Sequence, residues 1–486
     1  MIASEPEQEL GRVAKFHAFE KRHNLFAVTI SGISCWRVMR NFLFYRHQGL
    51  PDTVGSVAQF KRLRIAICAI AKLVAVLVFP GKSELLFKGC VSALRWRIDD
   101  RWFDPAIDTV LLQGSTAFKI IEQNSPAFAL QSAKAAYPSD LEASAFTLLG
   151  RLLATAFPSD IGAFHVKVAE LLNAELGVQI TPAVLRFRVS TVIWQARLYR
   201  LLLKRVRPAH VVVTDTGEYG LRLACLQMQI PFFEIQHGIF DAAHPDAIPE
   251  DAAGSDDQLL IPDRLLSKGQ FWIDQLKGYR HGRVAVPVGS AIIDFWRSSE
   301  KRSSRAGFHV VVTTQGIAVD RLIDTLRSAI AVAPEEINWH ISIKLHPVYD
   351  EVENYVSAFR DYSRVTILEG SSDPNVYELL AGCDLHVSIS SACHFDALAL
   401  GKQTLMLPLQ SHENLLHAVG PSGISLLSVP GDIWASVERS DPTAECEYYS
   451  NSGYIANVMH CLKSWPSHCG SVLDGGMSDD VAINGH

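Results

Sequence analysis

The chain has 486 residues, 48% hydrophobic and 20% charged, so it is long enough for two or three packed cores and too apolar to stay disordered. Its nine scattered cysteines contain no Cys-x-x-Cys, so neither a disulfide framework nor a zinc site is indicated, and a reducing compartment fits. The formal net charge of -6 hides an asymmetry: residues 11–104 carry 16 Lys/Arg against 6 Asp/Glu, leaving 29 against 45 elsewhere.

In chain order, the first thirty residues open with Glu5, Glu7 and Glu9 and lack the basic start and apolar run of a signal peptide, so a cytoplasmic location is expected. Leu25–Ile30, Glu84–Phe87 and Thr109–Leu112 read as strands. Ile65–Phe79 is the most apolar stretch of this basic region, with Lys72 at its centre and Lys61, Arg62 and Arg64 before it. It is too short and too charged for an easy bilayer crossing, which takes ~20 residues. Two readings stay open for it: a core helix with a basic rim, or a helix lying on the anionic inner face of a membrane. Residues 142–206 look helical.

From about residue 209 short β-branched runs alternate with helical stretches, the pattern of βαβ units on a parallel sheet. Ala209–Thr214, Phe232–Ile235 and Val284–Val288 read as strands and Tyr219–Met228 as a helix, while the acidic stretch Asp241–Asp257 reads as an exposed, cleavable loop. Residues 296–307 turn polar and read as a linker. A second alternation then begins, with strands at Phe308–Thr313, His340–Lys344, Val365–Leu368, Leu385–Ile389 and Thr404–Leu407. The expected domains are therefore 1–295, for the acceptor and the catalytic base, and 308–465, for a nucleotide. A helix near Ser450–Leu462 can pack on either, and 466–486 reads as a disordered tail. The fold class expected is α/β, with two Rossmann-like domains facing a cleft.

Ligands of open α/β sheets sit beyond the carboxyl ends of the strands, which singles out four clusters. Lys344-Leu345-His346-Pro347 leaves a strand, offering a cation and an imidazole to a phosphate while Pro347 fixes the backbone; the bland alternative is a histidine hydrogen-bonded at a strand end. Ser388, Ser390 and Ser391 join a strand to a helix whose N-terminus suits an anion, with Asp396 one turn in and able to reach a ribose; capping by Ser391 alone needs no ligand. Asp215 and Glu218 flank Gly217 at the end of the clearest strand of the first half, and either could be a general base or a helix cap. His237, between Gln236 and Gly238, reads equally as a substrate contact and as a core histidine.

These residues resemble a known group. Residues 209–294, with His-Val-Val-Val-Thr-Asp, Ile-Gln-His-Gly and Val288-Gly289-Ser290 ahead of Asp294, look like bacterial capsule and surface-polysaccharide proteins. The Lys-x-His-Pro and Ser-x-Ser-Ser elements look like the motifs of bacterial sialyltransferases, polysialyltransferases, Kdo transferases and related glycerophosphotransferases. That resemblance implies a GT-B fold and a cytidine-activated donor whose phosphate meets His346, Ser390 and Ser391. Sialyltransferases carry an acidic-acidic-Gly motif where this chain has Asp215-Thr216-Gly217, so the base stays open between Asp215 and Glu218.

The expected function is a metal-independent glycosyltransferase moving Kdo or a sialic-acid-like sugar from a CMP-linked donor to a surface polysaccharide or lipid-linked acceptor. No cofactor is expected, no Asp-x-Asp stands at a strand end to hold a metal, and nucleic acid is not among the expected partners. A CDP-glycerol-type glycerophosphotransferase, a nucleotide-sugar 2-epimerase and a non-catalytic GT-B assembly protein are the rivals.

Overall fold

A computed structural model describes residues 6–47, 59–78, 81–90, 96–98, 101–111, 117–122, 141–214, 217–299, 307–347, 349–370, 374–420, 423–435 and 446–465. Helices come first: α1 (Pro6–Arg22), α2 (Cys35–His47) and α3 (Gln59–Val78), followed after five short strands by α4 (Ser144–Ala156), α5 (Phe164–Leu176) and α6 (Pro182–Val206). Proline in the first turn of α6 sets its start, because the missing N–H has no partner there anyway; Arg207 in the left-handed region (φ 52°) ends it. The three helices α4–α6 occupy the stretch whose sequence reads as helical.

The first sheet is parallel and has seven strands: β1 (Leu85–Cys90), β2 (Ala117–Glu122), β3 (Leu141–Glu142), β4 (His210–Val213), β5 (Phe232–Ile235), β6 (Arg264–Ser267) and β7 (Ala285–Pro287), in the order β7-β6-β5-β4-β1-β2-β3. The second is parallel with six: β8 (Phe308–Thr313), β9 (Trp339–Lys344), β10 (Val365–Leu368), β11 (Leu385–Ser388), β12 (Gln403–Met406) and β13 (Ile424–Leu426), in the order β10-β9-β8-β11-β12-β13. Both grow outward in two directions from their first strand, the doubly wound arrangement, so each has a switch point where the order reverses. These points lie between β1 and β4 and between β8 and β11.

Period-two alternation explains the burial of the strands on both faces. In β4, Val211 and Val213 join the large core shared with α2 and α4–α6, while Val212 joins Leu85, Phe87, Phe233 and Leu266 on the opposite face. In β8, Val310 and Val312 face one core and Val311 the other. The opposite face of the first sheet is covered by a helix from the far end of the chain, Tyr454–Ser464, through Tyr454, Val458 and Leu462, and Trp465 meets Phe233 edge-on. The sequence left this helix between two domains; it packs on the first, so the stretch 308–465 is not one self-contained unit.

Several expectations are corrected. Thr109–Leu112 is no strand: a single helical turn, Asp108–Leu111, stands there because Asp104 accepts from the amides of Ala106 and Ile107 and closes the chain into a turn. Leu25–Ala27 is a 3-10 turn, and only Thr29–Ile30 pairs as a strand. The acidic stretch 241–257 is pinned rather than loose, since Asp246 is buried with Arg37, and Lys21 and Arg280 pair with Asp251 and Asp256. β6 (RLLS) and β13 (ISL) are not among the strands read from the sequence, because neither carries the run of β-branched residues that marks β4 and β8. Residues 300–306 of the proposed linker and the tail 466–486 lie outside the described residues.

Candidate functional site

The carboxyl ends of β4, β5 and β6, together with the loop before Asp108, enclose a cavity of about 70 Å³, room for several water-sized groups. Thr214 follows β4 and is buried; Asp215 lies outside the described residues; Gly217 turns the chain at φ 82°, a conformation costly for any other residue. Glu218 then makes no cap. Its carboxylate accepts instead from the ammonium of Lys88 in β1, with the two side chains 14% and 3% exposed. Removing either partner would strand a buried charge, so Glu218 is committed to that ion pair.

Gln236 welds the next two strand ends together. Its Oε1 accepts from the Ser267 hydroxyl at 2.9 Å and from the Lys268 amide at 3.0 Å, while its amide donates to the Gly238 carbonyl at 3.1 Å. This holds half-buried His237 in the cavity wall beside Lys268. Ser290 and Ile292, at the start of the helix Ala291–Ser298, line another side, and Tyr377 of the second domain and Tyr454 complete the wall.

The residue that sequence reading missed here is Asp104. It is 2% exposed, lines the cavity, and is pushed up to about 7 by burial and by the neighbouring Asp108 carboxylate. Asp108 itself accepts from Lys119 of β2 and from the Asp104 amide at 2.8 Å. Burial, with the nearby Asp104 charge, also holds the Tyr454 phenol well above its ordinary range, and its hydroxyl donates to the Ala106 carbonyl at 2.8 Å. The signal was present: Asp104-Pro105-x-x-Asp108 has an N-cap residue, a proline in first position and an acid in the first turn.

At the second switch point, the loop after β8 is braced on both sides. Gln315 exchanges two hydrogen bonds with the backbone of Ser390, accepting from its amide at 2.9 Å and donating to its carbonyl at 3.2 Å. Asp350 ties the same loop to the β9 exit, accepting from the Thr314 hydroxyl (2.7 Å), the His346 amide (2.9 Å), the Gly316 amide (3.2 Å) and the Tyr355 hydroxyl (2.7 Å). His346 is half-buried and stacks on Tyr349 with ring centres 4.5 Å apart; burial, only partly opposed by Asp350, lowers the pKa of its imidazole. Exposed Pro347 follows, packed so closely on Gly370 that a Cβ there would lie 2.4 Å from the Pro347 Cα.

Two sequence-based pairings come apart. Lys344 and His346 do not point to one side, because β9 ends at Lys344 and strand alternation ends with it; Lys344 is 4% exposed and donates to the Glu369 carbonyl at 2.6 Å. The three serines also differ. Ser388 is fully buried and donates to the Thr313 carbonyl at 2.7 Å, stitching β11 to β8. Ser391 accepts from the Cys393 amide at 3.2 Å, and the amides of His394 and Phe395 bond to the carbonyls of Ser391 and Ala392, so the first turn of the helix Cys393–Ala399 is satisfied internally. His346, Ser390 and Ser391 keep partly exposed positions on the loops that flank the exit of β8.

The two edges are joined. Asp396, 5% exposed, accepts from the Lys268 ammonium at 3.0 Å, so it bridges the domains rather than standing in solvent. Arg297 donates to the carbonyls of Ala399 (2.8 Å), Cys446 (2.8 Å) and Ser450 (2.7 Å), a second clamp. Among the described residues no group of three or more His, Cys, Asp or Glu comes together to hold a metal.

No family pattern and no curated protein matches the chain in sequence. Among solved structures it is similar to the UDP-GlcNAc 2-epimerase of Neisseria meningitidis bound to UDP-GlcNAc (14% identity, TM-score 0.49, covering 78% of this chain and 99% of that one). It is also similar to the UDP-GlcNAc 2-epimerase of Methanocaldococcus jannaschii (11%, 0.48, 79% and 99%) and to Acinetobacter baumannii MurG (10%, 0.44, 78% and 99%). Two doubly wound parallel sheets, joined at their carboxyl edges and strapped by a returning C-terminal helix, make this chain a two-domain α/β protein of GT-B-like architecture.

Proposed function

We propose that the protein is a nucleotide-sugar-dependent glycosyltransferase, with the activated donor on the second domain and the acceptor hydroxyl in the cavity of the first. The observation that carries this reading is the junction of two switch-point edges, since that is where open α/β sheets bind ligands and where a donor and an acceptor can meet. On the donor side, the partly exposed His346 and Ser390 stand on loops locked by Asp350 and Gln315, a preorganised setting for phosphate oxygens. Lys344 contributes through its field, as its ammonium is taken by the Glu369 carbonyl. A CMP-linked donor, Kdo or a sialic-acid-like sugar, rests on the resemblance of the His-Pro and serine motifs.

A saccharide on the inner membrane face suits the acceptor. Helix α3 buries Ala69 and Leu73 yet leaves Ile67, Val74 and Val78 57%, 55% and 59% exposed on its outer side, next to exposed Lys72. None of the described helices is long and apolar enough to cross a membrane.

The test is a thermal-shift panel of CMP, CDP, UDP, GDP and TDP followed by turnover of the matching sugar nucleotides. A nucleotide that binds the native state alone raises apparent stability by mass action, about 2.7 kcal/mol at a hundredfold excess over Kd. CMP stabilisation is expected, with His346→Ala weakening it roughly 10- to 150-fold and leaving the melting temperature of the free protein nearly unchanged. Stabilisation by UDP alone overturns the cytidine assignment. A donor converted to its epimer without acceptor replaces transfer with epimerisation.

A further inference from the structure

Four observations converge on the switch point of the first sheet. The Oδ1 atom of Asp104 accepts from the amides of Ala106 (2.9 Å) and Ile107 (3.4 Å), which fixes the carboxyl plane. Its Oδ2 atom and the Thr214 hydroxyl both hang over Gly89 of β1: a Cβ on that glycine would lie 3.1 Å from the one and 3.2 Å from the other. The Thr214 hydroxyl is buried and has no hydrogen-bond partner among the described residues, a costly state for a residue that is 2% exposed. Both side chains line the cavity that His237 and Lys268 also face.

We propose that Asp104 is the catalytic base of the transfer reaction, taking the proton of an acceptor hydroxyl that Thr214 positions. The inference rests on the glycosyltransferase reading and names the base that reading lacks. The acceptor oxygen attacks the anomeric carbon as its proton passes to Asp104 Oδ2; the bond from that carbon to the phosphate oxygen breaks, and the nucleotide leaves with the electron pair. The orphaned Thr214 hydroxyl gains its missing partner from the acceptor oxygen.

The surroundings suit that role. Around Asp104 stand Asp108, paired with Lys119; the Tyr454 phenol, held by the Ala106 carbonyl; the Lys88–Glu218 pair on β1 and just before α7 (Tyr219–Gln227); and His237 and Lys268 in the cavity wall. Burial and the Asp108 charge bring the carboxyl to about 7, where a base is both ionised and strong enough to accept a proton at neutral pH.

The experiment compares full-length wild type with Asp104→Asn and Thr214→Val, using the donor on which wild type turns over. Asp104→Asn keeps the Oδ1 contacts and is expected to lower kcat by roughly 10²- to 10⁴-fold, to leave donor affinity unchanged, and to lack the rise in rate with a midpoint near pH 7 that is expected of wild type. Added formate is expected to restore part of the activity of Asp104→Ala, which a merely structural aspartate would not allow. Asp104→Asn turning over within threefold of wild type, with the same pH profile, overturns the proposal and leaves the transferase reading intact. No turnover by wild type on any sugar nucleotide overturns both. Should Asp104→Asn fail to fold, a wild-type rate that is flat between pH 6 and 8, or unchanged in Thr214→Val, overturns the proposal by itself.

Discussion

Arg37 and Asp246 show how strongly single residues tie the basic N-terminal region to the first sheet. Both are buried; Asp246 accepts from Arg37 (2.5 Å), from the Tyr219 hydroxyl (2.6 Å) and from Asn41 (2.9 Å), and Arg37 also donates to the Leu259 carbonyl (2.8 Å). Burial pushes the Asp246 carboxyl up, but the Arg37 guanidinium and these bonds hold it below the usual carboxylate range. Asp246→Ala leaves a buried guanidinium without its carboxylate, so a loss of about 3–5 kcal/mol is expected in urea unfolding. Buried histidines add an acid liability. His281 is pushed down to about 3 and His394 to about 4 by burial, so each contributes stability that is present above pH 6.5 and lost as pH falls through those values. Asp104 runs the other way: raised to about 7, its contribution is present below 3.8 and lost as pH rises through 7. Asp104→Asn is therefore expected to melt at a higher temperature than wild type at pH 8 and to lose stability more steeply between pH 6.5 and 4.

Among the elements, packing is very close where the first domain meets the segment before the last helix. Gly289, at φ 98°, has no room for a Cβ, which would lie 2.1 Å from the Asn451 carbonyl, and at Gly269 it would lie 2.5 Å from the Tyr448 carbonyl. Gly289→Ala meets both backbone strain and a backbone clash, so a destabilisation of about 1–3 kcal/mol is expected in denaturant melts. Helix α3 offers a second test: sedimentation with anionic vesicles is expected, falling as salt rises, and to be lost when Ile67, Val74 and Val78 are made polar. Most of the second domain was legible because β8 to β12 are short, β-branched and regularly spaced with helices. In the first sheet β4, β5 and β7 were legible and β1 was legible as a strand without its partners, because β1 to β3 are separated from β4 by about 70 to 120 residues of chain, a long-range pairing that no local period encodes. The positions of His237, His346 and Ser390 just beyond strand ends were legible. The site was illegible where a partner distant in sequence decides a residue's role, as Lys88 does for Glu218, Lys268 for Asp396 and Gly89 for Asp104.

At the scale of the molecule, the two sheets are not independent halves. Phe271, Trp272, Ile293 and Trp296 of the first share one core with Tyr377, Phe395 and Leu415 of the second, and Arg297 and Lys268 add polar ties. Calorimetry is expected to give one main transition, and a fragment ending at residue 299 is expected to aggregate. The reason is the helix Tyr454–Ser464, which covers Leu85, Phe87, Phe233 and Leu266. During synthesis the last strand of the first sheet leaves the ribosome some 170 residues before that helix does, roughly 10–30 s at ordinary elongation rates. Throughout that interval one face of the sheet stays bare, so the domain made first is completed only after the second sheet has been made, and its apolar face is open to chaperones until that helix emerges.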